Sequence, residues 1–304
     1  MAGDYVIMKS EKIKDLFRSV TVWKRGGQRA PHKPLLILYA IGRMIRDGSR
    51  MIPFAEVEED LKKLLIEFGP RRRSYHPEYP FWRLKNDDLW ELTNISSVEK
   101  RGTGNDARKK DLLQNDVSGG FPVQIYNALS SDSQLVFEIV TDILKQNFPD
   151  TIHQDILDAV GIDIPLPGRK SYIRDPDFRE RVLRAYEYKC AICGFDVRLG
   201  NQLVAIEAAH IKWHQAGGPD NEINGISLCT LHHKLFDRGV FTISDKRRVI
   251  VSEDAHGTRG FQEWLMAFHN KTILLPQSRK YYPADPFINW HIREVFQGPG
   301  RYCL

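Results

Sequence analysis

Residues 190–237 read CAICGFDVRLGNQLVAIEAAHIKWHQAGGPDNEINGISLCTLHHKLFD, and two metal-site patterns interleave in them. Cys190 and Cys193 form a C-x-x-C knuckle, and Cys229 and His232 form a C-x-x-H knuckle after a long insertion. Four soft or borderline donors in two close pairs suit tetrahedral Zn2+, and a site closed by four protein ligands is a structural one. The plain alternative is unrelated buried cysteines beside a surface histidine. Cysteine usage favours the metal: of four cysteines, three fall in the knuckles and Cys303 stands apart, next to last. A disulfide framework would be odd in 304 residues with no hydrophobic signal segment at the start, so a cytoplasmic chain is expected.

The second pattern sits on the elements such a zinc would staple. Leu203 to Ile211 alternates enough for a strand ending on His210, and Trp213 to Asn224, with Gly217, Gly218 and Pro219, reads as a loop. Leu228 to Phe236 is expected as a short helix carrying His233, with Asp237 four residues further on. Positions i and i+4 share a helix face, so His233 and Asp237 can reach one ion while His232 points elsewhere. The stretch resembles the HNH (ββα-metal) endonucleases, in the variant whose signature runs C-A-x-x-G, A-A-H-I, N-G and H-x-L-F-D-R-G. Here those residues are Cys190-Ala191 and Gly194, Ala208 to Ile211, Asn224-Gly225, and His233 to Gly239. The resemblance implies phosphodiester hydrolysis, with His210 as general base and Asn224 orienting the loop and the His210 ring. A divalent ion, Mg2+ or Mn2+, near His233 would stabilise the pentavalent phosphate and the departing 3′ oxygen. One departure matters: many relatives carry an acidic ligand just before the base, and here that residue is Ala209. Asp237 is the first candidate to supply the missing ligand, Glu207 the weaker one.

A chain of 304 residues has room for two domains. No apolar run approaches the roughly 20 residues of a membrane span. A net charge of +5 is compatible with a polyanionic partner. Pro149, Pro165, Pro167, Gly168 and Pro176 break regular structure, which predicts a domain over 1–155, a linker over 156–176 and a second domain over 177–304. Asp177 to Tyr188 reads as a helix leading into the first knuckle, and FQEWLMAFH and WHIREVF as helices of a C-terminal tail packed on that domain.

In the first domain, Ile13, Leu16, Phe17 and Val20 mark an amphipathic helix over Ser10 to Val22. A second helix starts at Pro34, is apolar nearly all round and ends at Gly48; a third carries Val57, Leu61, Leu64, Leu65 and Phe68. Two strand-like runs follow, Pro80 to Leu84 and Leu89 to Leu92. Helix, helix, helix, hairpin is the order of a winged helix. The fold class expected is therefore α+β, a winged-helix-like DNA-reading domain followed by a zinc-stapled ββα-metal nuclease domain.

Cations surround these elements. Arg29, His32 and Lys33 lie at the start of the buried helix, where free N–H groups favour an anion; Arg71, Arg72 and Arg73 follow the third helix, and Arg101, Arg108, Lys109 and Lys110 lie in a Gly-containing loop. Each cluster alone could be an ordinary solvated face. Between them HPEYPFW (76–82) is too apolar for an ordinary turn. Phe81 and Trp82 read as core, whereas Tyr79 and Pro80 suit a shallow apolar pocket ringed by cations. PHKPLLIL, YHPEYPFWRL and the later GGFP (119–122) resemble the sulfur-binding domain of type IV restriction endonucleases, which recognise phosphorothioated DNA and join this domain to an HNH nuclease. The resemblance implies that His32 and Lys33 touch the modified phosphate, that Tyr79 and Pro80 form the sulfur pocket, and that Arg101 or Arg108 contacts neighbouring groups. The reading is a modification-dependent endonuclease acting on double-stranded DNA, as a homodimer, with no membrane association. Its rivals are an HNH enzyme for methylated or hydroxymethylated bases, a non-catalytic zinc-bearing DNA reader, and an unspecific nuclease toxin.

Overall fold

The computed structural model describes residues 10–21, 28–101, 105–164 and 176–301, with Lys100, Arg101 and Pro176 described by backbone alone. The chain divides into two compact units, one taking residues 1–24 and 30–166 and the other residues 25–29 and 167–304. No described helix is long and apolar enough to cross a membrane.

The first unit is built around one helix. α1 (Ser10–Arg18) is followed by α2 (His32–Asp47), whose residues Leu35 to Ile41 are all buried. A helix apolar on every side has no face to give to water and becomes the core. Next come β1 (Met51–Pro53), α3 (Phe54–Phe68), α4 (Glu78–Arg83) and β2 (Glu91–Leu92). The hairpin of β3 (Lys100–Arg101) and β4 (Asp106–Ala107), α5 (Lys109–Gln114) and β5 (Ser118–Gly120) continue the chain. α6 (Val123–Ser131), α7 (Ser133–Asn147) and α8 (His153–Val160) complete the unit. β5 lies between β1 and β2, antiparallel to both, with Met51 and Glu91 both opposite Gly120. Helix, strand, two helices, strand, hairpin wing, short helix, strand, with the last strand central, is a winged-helix-like topology.

Two details differ from expectation. Pro80 to Leu84 is not a strand: Glu78–Arg83 is helical, and the paired strands are β2 and β5. Pro80 is tolerated because the first helical turn has no intrahelical use for its N–H groups, so a missing one costs nothing there. The second detail is GGFP, whose glycines are strand residues. A Cβ on Gly120 would sit 1.7 Å from the Arg50 carbonyl oxygen, and one on Gly119 would sit 2.4 Å from Trp90 Nε1. α8 also carries ordered structure of this unit past residue 155.

The second unit opens with α9 (Pro176–Ala185) and the small hairpin β6 (Arg198–Leu199) and β7 (Gln202–Leu203). β8 (Ile206–His210) and β9 (Gly225–Cys229) pair antiparallel and lead into α10 (Thr230–Asp237). β10 (Phe241–Ile243), β11 (Val249–Val251), α11 (Arg259–Trp264) and α12 (Asp285–Glu294) follow. The expected strand from Leu203 is broken at Ala205, which takes a left-handed φ of 56°. Leu228, expected in the helix, belongs to β9, whose five residues are all buried. Phe178, Val182, Ile206, Ala209, Ile226, Leu228 and Phe236 share one core, which ties α9 and α10 to the β8–β9 pair.

Candidate active site

The knuckles close on one point. After Cys190 and Cys193 the chain reverses at Gly194, whose φ of +75° suits glycine and whose N–H donates to the Cys190 carbonyl at 2.9 Å. Cys229 ends β9 and His232 falls in the first turn of α10. One donor atom from each of Cys190, Cys193, Cys229 and His232 lies within 4.8 Å of the others. His232 Nδ1 is 3.1 Å from Cys229 Sγ, while its Nε2 donates to the Trp264 carbonyl at 2.8 Å. That outer bond places the ring's lone pair on Nδ1, facing the sulfurs, as for a ligating histidine. Three thiolates and an imidazole in this arrangement fit a tetrahedral metal ion.

His210 ends β8 opposite Gly225 and is only 7% exposed. Its ring stacks on Phe178 at 4.2 Å and 15°, and its Nε2 lies 2.6 Å from Asp220 Oδ1. Asn224, fully buried, holds the loop between β8 and β9. Its Oδ1 accepts the Lys212 N–H at 2.8 Å, and its Nδ2 donates to the carbonyls of Lys212 and Pro219, both at 3.0 Å. Gly218 lets the strands of this loop approach, since a Cβ there would meet the Lys212 oxygen at 1.8 Å.

His233 stands one residue beyond the zinc-facing His232, about 100° around the helix. Its Nε2 is 3.1 Å from Asp237 Oδ2 and its Nδ1 is 2.7 Å from Glu207 Oε2. Asp237 Oδ1 also accepts the Trp213 indole N–H at 3.1 Å. Burial alone would lower the His233 pKa, but Asp237 and then Glu207 outweigh it and hold the ring at about 9. Because the two carboxylates take opposite ring nitrogens, they cannot share one ion with His233. An ion at the Nε2 edge would take Asp237 as its carboxylate, and one at the Nδ1 edge would take Glu207.

On the first unit, His32 begins α2 half-buried, and burial, then the charges of Arg72 and His76, push its pKa down to about 4. Lys33 Nζ lies 2.5 Å from Asp87 Oδ2. Tyr79, half-buried on α4, stacks on His76 at 4.9 Å and lies under the Arg83 guanidinium at 5.0 Å. Arg83 in turn pairs with Asp106 of the wing at 2.6 Å, and Trp82 donates to the Asn105 carbonyl at 2.9 Å.

Residues 10–164, just over half of the chain, match the family described as ScoMcrA-like, DNA sulfur-binding domain. The chain belongs to that family. Residues 190–244 match the HNH endonuclease family, so the sulfur-binding domain is followed by a nuclease domain and the protein is a DNA endonuclease. HNH nucleases are metal-dependent. Among solved structures, the sulfur-binding domain of ScoMcrA complexed with phosphorothioated DNA matches at 22% identity over 49% of this chain and 94% of that one, with a TM-score of 0.44. The corresponding SprMcrA complex matches at 21% identity over 51% and 95%, with a TM-score of 0.45. The type IV phosphorothioation-dependent restriction endonuclease ScoMcrA matches at 21% over 55% of this chain and 32% of that one, with a TM-score of 0.40. No curated protein matches the chain.

Within the sulfur-binding domain, the sequence-derived residues do not all stay on one surface. Pro80 is buried, so α4 offers Tyr79 to solvent in its place. Arg71 and Arg73 are exposed; Arg108 pairs with Glu99 at 2.9 Å and Lys109 with Glu58 at 2.5 Å. The Arg101 side chain and Cys303 lie outside the described residues. Arg29 is grouped apart from His32 and Lys33 in the division of the chain. It belongs to the second unit, where its guanidinium donates to the Glu294 carbonyl at 2.9 Å and lies 3.9 Å over the Trp213 ring. In the HNH domain, sequence reasoning missed Asp220, Phe178 and Trp213. Only Ala209, where relatives carry an acid, hinted that a carboxylate had to arrive from elsewhere.

Proposed function

We propose that this endonuclease cuts DNA in response to a phosphorothioate, the sulfur-binding domain selecting the modified site and the HNH domain hydrolysing a phosphodiester bond nearby. The observation that carries the reading is the presence, in one chain, of a DNA sulfur-binding domain and a ββα unit bearing His210, Asn224 and His233. In this reading residues 1–155, with the rest of α8, read the DNA, the link falls between α8 and residue 176, and 177–304 cut. His32, Lys33 and Tyr79 meet the modified phosphate, while Arg71, Arg73, Arg101, Arg108 and Lys109 contact the surrounding backbone.

In the nuclease, His210 takes the proton of the attacking water, and Asn224 fixes the loop beside it. His233 and Asp237 would hold a divalent ion, Mg2+ or Mn2+, which supplies charge stabilisation to the phosphate and the leaving 3′ oxygen. Cys190, Cys193, Cys229 and His232 would hold a structural Zn2+ that pins the start of α10 to the Cys190 knuckle. One nuclease centre per chain calls for two copies to cut both strands.

The test is cleavage of two matched duplexes, one phosphorothioated and one plain, with Mn2+ or Mg2+ and a His210→Ala control. The expected result is cutting of the modified duplex alone, abolished in the control. Equal cutting of both duplexes would discard the sulfur-dependent reading and leave a general nuclease.

A further inference from the structure

The ring of His210 is held on a face and at an edge. Phe178 covers its face at 4.2 Å, and Asp220 Oδ1 meets Nε2 at 2.6 Å. A carboxylate only accepts hydrogen bonds, so Nε2 carries a proton, and in the neutral ring the lone pair lies on Nδ1. A general base needs that lone pair in a fixed direction, and a ring free to turn about its bond to Cβ does not provide it.

We infer that Asp220 is the positioning residue of the general base: it fixes the His210 tautomer and ring plane so that Nδ1 accepts the water's proton, and it stabilises the imidazolium that forms. The inference rests on the role of His210 proposed above. The loop has supports for its shape besides the Asp220 side chain. Asn224 ties the Lys212 and Pro219 carbonyls together, Arg181 donates to the Asp220 backbone carbonyl at 2.8 Å, and Asn221 caps the turn by accepting the Asn224 N–H at 3.1 Å. The carboxylate is therefore delivered to the ring by a loop that Asn224, Arg181 and Asn221 hold in place. The place of Ala209 agrees: it is completely buried in the core shared by α9, β8, β9 and α10, so the residue before the base serves packing. The acid of this centre arrives from the loop, ten residues after the base in sequence.

The test is a double-mutant cycle on the full chain: wild type, Asp220→Asn, His210→Ala and the double variant. Single-turnover cleavage of a phosphorothioated duplex is measured with enzyme in excess, so that slow residual cutting is readable. Asp220→Asn should slow cleavage by roughly 100-fold, within the range a general base contributes. DNA affinity, Mn2+ half-saturation and thermal midpoint should stay at wild-type values. In the His210→Ala background the same substitution should have no further effect, because no ring is left to orient. Asp220→Glu, a second variant should the first fold poorly, should lose part of the rate, since it keeps the charge one methylene out of place.

A double variant slower than His210→Ala by the full Asp220→Asn factor would overturn the inference. So would a loss rescued by raising Mn2+, which would make Asp220 an ion ligand. Inactive His210→Ala beside unimpaired Asp220→Asn would sink this inference alone. Substantial activity in His210→Ala would remove the base itself, and the inference with it.

Discussion

The nuclease centre and the DNA-reading surface solve opposite problems with the same side chains. In the HNH domain the polar groups are buried and bonded to fixed partners: Asn224 to two backbone carbonyls, His210 to Asp220 under Phe178, His233 between Glu207 and Asp237. In the sulfur-binding domain several cations lie nearer the surface, each against an acid of its own domain: Lys33 on Asp87, Arg83 on Asp106, Arg108 on Glu99, Lys109 on Glu58. Chemistry needs groups that do not move, because a misplaced base loses most of its value. Reading needs groups that can be handed over. In the proposed reading, a phosphate arriving at Lys33 or Arg108 would replace one anion with another, so the site would keep its shape while empty.

Substitutions can break that contrast, beginning with the metal that holds the nuclease together. Cys193→Ser should release zinc and unfold the C-terminal unit, since structural zinc contributes folding free energy directly. Normal metal content by elemental analysis, with an unchanged melt, would remove Cys193 from the ligand set. Asn224→Ala comes next. It strands the Lys212 and Pro219 carbonyls and should cost about 1–3 kcal/mol of stability. It should also slow cleavage more than tenfold, because the loop carrying Asp220 comes loose. Cleavage at the wild-type rate would show that the centre tolerates motion after all.

On the reading side, Lys33→Ala should weaken binding and make the salt dependence shallower by about 0.9 in the log–log slope. A reduced melting temperature with an unchanged slope would instead make Lys33 a staple for Asp87 only. The smallest effect concerns His32. Its pKa of about 4 means it is neutral in the free protein, and a phosphate beside it would raise that value. Binding would then take up a proton, so affinity should rise by up to about tenfold per pH unit between pH 7 and pH 5. His32→Gln should flatten the profile. The free domain moves the other way: a depressed histidine contributes stability above its unfolded pKa near 6.5 that is lost as pH falls towards 4, so its melting temperature should drop over that interval. A flat affinity profile in wild type would place His32 away from the phosphate.

The same contrast explains what was legible in the sequence. HNH residues sit at fixed short spacings because one strand and one helix carry them, so His210, His233 and Asp237 could be read as a motif. The β9 boundary could not, because GISLC is buried on both faces and shows no alternation before running into LHHKLF. In the first unit the long helices were readable from their stripes, but β1 and β5 are three residues each and contain Pro53 and Gly119-Gly120, which ordinarily argue against strands. Pro80 to Leu84 looked like a strand because its aromatics favour one, and the helix won because Pro80 falls where no N–H is required. Asp220 left no trace in spacing at all. Its meeting with His210 depends on a loop whose path is set by the Asn224 amide.

That amide has a consequence for how the protein can be altered. By gripping the carbonyls of Lys212 and Pro219, Asn224 turns the residues between them into a closed appendage whose two ends are welded to each other. The turn at Gly217, exposed and left-handed at φ 76°, lies at the far side of the weld. A peptide tag or a longer natural insertion entering at Ala216–Gly217 lengthens the appendage and leaves its root alone. One entering between Pro219 and Asp220 moves a carboxylate off an imidazole. Insertional scanning along these eight residues would therefore read as a tolerant arc ending at a sharp edge, and that edge would mark where scaffold stops and catalyst begins.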